Sequence, residues 1–77
     1  MTPLAAFVAA LSHEDRHAII QSFEQFERDG FIDDAPIRIH ARAFTDSLGI
    51  TGEMHTTMWM EQLAKECFRF YYHATFG

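Results

Sequence analysis

The sequence predicts an all-α fold: a compact four-helix domain with very short connections, the C-terminal helix longest. Three observations predict it. Four segments each repeat apolar residues at helical spacing, each is bounded by capping or stop chemistry, and no segment alternates apolar and polar residues as a half-buried strand would.

Thr2 followed by Pro3 reads as a cap and a first-turn proline, so the first helix should run from about Pro3 to Leu11. Its apolar positions Leu4, Phe7, Val8 and Leu11 share one face. Ser12 then caps the second helix, with Asp15 at the third helical position and Glu14 and Asp15 against the positive end of the dipole. Ile19, Phe23 and Phe26 form its stripe, with Ile20 at the edge. Gly30 stands where a left-handed terminal residue is wanted, and Phe31 follows it for the usual hydrophobic contact.

Asp33 or Asp34 is expected to open the third helix, with Pro36 in its first turn. Ile37, Ala41, Phe44 and Leu48 form the stripe of that helix, and Gly49 with Ile50 repeats the ending of Gly30 with Phe31. Thr51 should cap the last helix, which reaches about His73. No Pro/Gly/Ser linker interrupts the chain, so residues 1–77 read as one helical domain whose consecutive helices turn sharply or pack antiparallel.

Composition bounds the function. Of 77 residues, 48% are hydrophobic and 14% aromatic, too apolar for a disordered chain. A domain this small rarely draws more than about 3–5 kcal/mol from one core, so it needs dense apolar content, a staple or a partner. The single cysteine, Cys67, excludes an intramolecular disulfide and reads as a small buried apolar residue. Six Lys/Arg against eleven Asp/Glu give a net charge of −5, which repels phosphate backbones, so no nucleic-acid partner is expected. The apolar segment from Pro3 to Leu11 has no basic residue before it, and no apolar run is long enough to span a membrane; a cytoplasmic location is the expectation.

Two motifs invite sharper readings. His13-Glu14-Asp15-Arg16-His17 matches H-E-x-x-H, in which two histidines one turn apart hold zinc and the glutamate activates water. Here it falls in the first turn after a Ser cap. At about 100° per residue, His13 and His17 share the solvent side with Gln21 and Glu24, opposite Ile19, Phe23 and Phe26. No metal site is expected there. Ala41 to Met60 reads helix, tight turn, helix and so resembles a helix-turn-helix, but the second helix begins Gly52-Glu53-Met54-His55-Thr56-Thr57, with no cation until Lys65. A DNA-binding regulator and a histidine-based metal-binding protein are the alternative readings.

The remaining histidines fit ordinary roles. His40 reads as a boundary residue, and His55 and His73 join Gln62, Glu66 and Arg69 on the polar strip of the last helix. With no phosphate loop and no nucleophile elbow, the chain is expected not to be an enzyme, and no cofactor is expected.

The last helix carries the most distinctive pattern. Met60, Ala64, Cys67 and Tyr71 centre one face, Trp59, Leu63 and Phe70 flank it on one side and Phe68 on the other, while Met54, Met58 and Tyr72 extend it. The arc covers about 180°, wider than the roughly 100° a surface helix needs. It fits either a central helix wrapped by the other three or a helix with surface left for a partner. The second possibility makes Trp59, Phe70, Tyr72, Phe68 and Met58 candidate partner-binding residues, since aromatics and Met are enriched at interfaces. The expected function is a small protein–protein interaction module, an inhibitor or adaptor, that docks on a protein partner or on itself as a homodimer. In size, acidity and helicity the chain is similar to phage and mobile-element inhibitors of host machinery such as anti-CRISPR proteins.

Overall fold

In a computed structural model, residues 2–30, 35–50 and 53–76 are described, with the side chains of the last helix described over residues 56–72. Among them the chain forms four α-helices: α1 (Pro3–Ala10), α2 (His13–Asp29), α3 (Pro36–Ser47) and α4 (Glu53–Phe76). At 24 residues α4 is the longest. No strand occurs among the described residues, and no described helix is long and apolar enough to cross a membrane.

The first two starts follow local rules. Thr2 Oγ1 accepts from Ala5 N at 3.1 Å and Ser12 Oγ accepts from Asp15 N at 3.0 Å, each satisfying an amide that the first helical turn leaves open. The third start differs. The cap position is Ala35, which supplies no side-chain bond, and the helix begins at Pro36. Asp33 and Asp34 lie outside the described residues. The buried Ser22 of α2 takes over instead: its hydroxyl accepts from Ile37 N at 3.0 Å and donates to Ile19 O at 3.0 Å. A tertiary contact thus satisfies an amide of the first turn of α3.

The helix ends also divide. At the end of α3, Gly49 N donates to Asp46 O and Ile50 N donates to Thr45 O, with Gly49 at φ +75°, the Schellman arrangement expected from the sequence. Gly30 does not repeat it. Its φ of +94° comes with ψ of −168°, an extended conformation almost confined to glycine, while Gly30 N donates to Phe26 O. Phe31 and Thr51 lie outside the described residues.

The core is built from Val8 of α1, Ile19 of α2, Ile37 and Ala41 of α3, and Met60, Leu63, Ala64 and Cys67 of α4. Leu4, Phe7, Leu11, Ile20, Phe23 and Phe26 pack around it half-buried. An aromatic row joins three helices: buried Phe44 meets Phe7 and Trp59 edge-on, each at a centroid distance of 5.2 Å. Leu48, expected in the α3 stripe, is 44% exposed: it follows the last helical residue, Ser47, and no described helix covers it. α4 packs against each of the other helices. One side of it is therefore core, and its opposite side faces outward.

Candidate functional site

Two places on this frame concentrate chemistry. The first is the end of the bundle where α1 runs into α2 against the C-terminal half of α4. Arg16 lies there almost entirely buried, although it is charged. It sits three residues before Ile19 in the series 16, 19, 23, 26, and so occupies the first place of the α2 apolar stripe. Its Nη1 donates to Leu11 O at 2.6 Å and to Val8 O at 3.1 Å, carbonyls at the C-terminal end of α1. A cation suits that end, where carbonyls lack helical partners and the dipole is negative. The guanidinium also lies 4.0 Å from the Phe70 ring centroid, a cation–π contact, and its Nε donates to the Tyr71 hydroxyl at 3.3 Å.

Tyr71 extends this network to the two histidines. Its hydroxyl is 2.8 Å from His13 Nδ1, which accepts the phenol proton when the imidazole carries its own proton on Nε2. The His13 and His17 rings are 4.7 Å apart, and both stand edge-on to Tyr71, at 5.5 Å and 5.9 Å. Both histidines are exposed, as are Gln21 and Glu24 on the same side. The sequence placed the pair on the solvent side but gave no sign of Tyr71 against it. Among the described residues, no group of three His, Cys, Asp or Glu side chains could hold a metal ion.

Cys67 lies beneath this network with no solvent exposure. Burial, opposed in part by the Arg16 charge and reinforced by Glu66, pushes its thiol up from 9.0 to about 11. At neutral pH it is a protonated, poorly nucleophilic thiol. His40 has its Nε2 at 4.0 Å from Asp15 Oδ1, a carboxylate across the α2–α3 packing.

The second place is the outward side of α4. Met58 is 62% exposed, Tyr72 58% and Phe70 37%. The five residues singled out from the sequence do not form one patch. Trp59 is half-buried against Phe44, and Phe70 lies under Arg16, so both are engaged within the fold on one flank of α4. Phe68 and Tyr72 stack at 6.2 Å on the other flank, with Met58 further along on the outward side. Exposed Glu61 and Lys65 lie between them and pair with each other at 3.3 Å. Beside this strip, Phe23, Phe26, Thr57 and Met60 line an open groove of about 290 Å³ rimmed by Glu27 and Glu61.

The fold and its surface define a small helical domain with an outward-facing, partly apolar long helix. No family model, no curated protein and no solved structure matches the chain.

Proposed function

We propose that this chain is a small, non-catalytic protein–protein interaction module, an inhibitor or adaptor, that docks through the outward side of α4. One observation carries the reading: Met58 and Tyr72, 62% and 58% exposed, stand on the longest helix, opposite the face that builds the core. Large apolar side chains left in water regain about 25 cal/mol per Å² when a partner covers them. Met, aromatic and Arg side chains are the types enriched at interface centres, and Met58, Phe68, Arg69 and Tyr72 provide them along one helix.

A net charge of −5 favours a protein partner over a nucleic acid and speeds encounter with a basic protein surface. The buried, protonated Cys67 and the backbone-committed Arg16 act as structural groups in this reading. Small size, acidity and all-helical form support a role like that of phage and mobile-element inhibitors of host machinery, acting in the cytoplasm.

Site-specific photo-crosslinking tests the reading. A crosslinking amino acid at Met58 or Tyr72 should trap a discrete protein in the native host, whereas the same group at exposed Gln25 of α2 should not. The purified pair should then bind at least tenfold more weakly when Met58 and Tyr72 are both changed to Ser. Equal trapping from Gln25, or unaltered affinity of the double variant, would contradict docking through α4.

A further inference from the structure

We propose that a second copy of this chain covers the outward side of α4, in an antiparallel pair whose register is set by Glu61 and Lys65. The inference rests on the docking reading above and names the partner of that surface.

Met58, Glu61, Lys65, Phe68 and Tyr72 recur at alternating spacings of three and four, the seam of a heptad with Met58, Lys65 and Tyr72 at a positions and Glu61 and Phe68 at d. The seam lies outside the core positions Met60, Leu63, Ala64 and Cys67, with Met58 opposite them and Phe68 half-buried at the flank. Its central side chains, Glu61 and Lys65, are 59% and 58% exposed, so no other described helix covers it there.

The charges make this seam complementary to itself in one direction only. In antiparallel helices, each a position lies level with a d position of the partner. Placing Glu61 level with Lys65 of the second copy also places Lys65 level with the second Glu61, by the two-fold symmetry of such a pair. The same register sets Met58 level with the second copy's Phe68, and the reciprocal contact follows. Phe68 already stacks on Tyr72 at 20° between ring planes, which presents a broad aromatic surface to the Met58 thioether. A parallel pair would set Glu61 against Glu61 and Lys65 against Lys65. Sliding the antiparallel pair by one heptad would set Lys65 against Phe68 and Glu61 against Tyr72, leaving both charges without partners. The ion pairs that now close within one chain would close between chains. Polar groups at the centre of a seam fix register rather than add affinity. The dimer is therefore weak, in keeping with a small interface.

Sedimentation equilibrium of the full chain tests this, with circular dichroism on each variant. The wild type should dimerise, Glu61→Lys and Lys65→Glu should each weaken the dimer at least tenfold, and the double exchange Glu61→Lys/Lys65→Glu should restore it. Glu61 and Lys65 are exposed in the free chain, as are Met58 and Tyr72, so variants at these positions should keep wild-type helicity. A wild type that stays monomeric at millimolar concentration overturns self-pairing, while the crosslinking test still judges docking on another protein. A dimer insensitive to both charge reversals but lost in Met58→Ser/Tyr72→Ser overturns the register and leaves the docking surface standing. A dimer insensitive to every one of these variants overturns both.

Discussion

The Tyr71 hydroxyl lies 2.8 Å from His13 Nδ1, across 58 positions of chain, and Arg16 Nε approaches the same oxygen at 3.3 Å. This meeting of α2 and α4 ties the long helix to the start of its neighbour, and Arg16 ties both to the end of α1. Tyr71→Phe removes the shared oxygen while keeping the ring. It should cost about 1 kcal/mol, the usual net value of such a bond. In nuclear magnetic resonance spectra the His13 ring signals should move and those of His40 should not, because His40 sits beside Asp15 instead.

Arg16 is a larger prop. Arg16→Ala deprives Val8 O and Leu11 O of a charged donor and takes the guanidinium from the Phe70 ring. Urea unfolding should show a loss of about 2–4 kcal/mol, from lost charged hydrogen bonds and lost packing. Arg28 is the control. It pairs with Asp29 at 3.4 Å on the surface, so Arg28→Ala should change stability by less than about 0.5 kcal/mol.

Ser22→Ala should destabilise the fold by about 1–2 kcal/mol, because it leaves the Ile37 amide buried without its acceptor. Hydrogen exchange should show the first turn of α3 opening more readily, with the N-terminal turns of α1 and α2 unchanged. Equal exchange at Ile37 in both proteins would refute the tertiary cap.

Cys67 gives a pH signature. Its thiol keeps its proton in the fold to about pH 11, against 9.0 in the unfolded chain. Below the lower value both states hold the proton and stability is unaffected. Between the two values only the unfolded chain ionises, so stability falls as pH rises through that window. Cys67→Ala should flatten that alkaline decline relative to the wild type. The folded wild type should resist thiol-specific alkylation at pH 8 and react fully in denaturant.

What could be read in the sequence was what short-range chemistry decides. Thr2, Ser12 and Gly49 act on amides or carbonyls within one turn, and each does in the fold what its position in the chain foretold. Features set by distant partners escaped. Ser22 reads as a polar residue in α2 until Ile37 is brought beside it, and Tyr71 gives no hint of His13. Arg16 left one usable trace, its place three residues ahead of Ile19 in the apolar stripe. On α4, the width of the apolar arc was visible, but which parts other helices cover was not. Packing against Phe44 and Arg16 engages Trp59 and Phe70, and leaves Met58 and Tyr72 outward. Gly30 shows a further limit: a glycine after a helix signals positive φ, yet the ψ that separates a Schellman end from an extended exit depends on where the chain goes next.

On the docking proposal, α4 builds the core with one side and offers an association surface with the other. Comparing Met58→Ser with Leu63→Ala by analytical ultracentrifugation and circular dichroism tests it most directly. Leu63 is fully buried, and its truncation should cost about 2–5 kcal/mol and melt the helical signal. Met58→Ser should keep the wild-type spectrum and unfolding midpoint while weakening association. A Met58→Ser protein that unfolds, or that associates as the wild type does, would contradict the account.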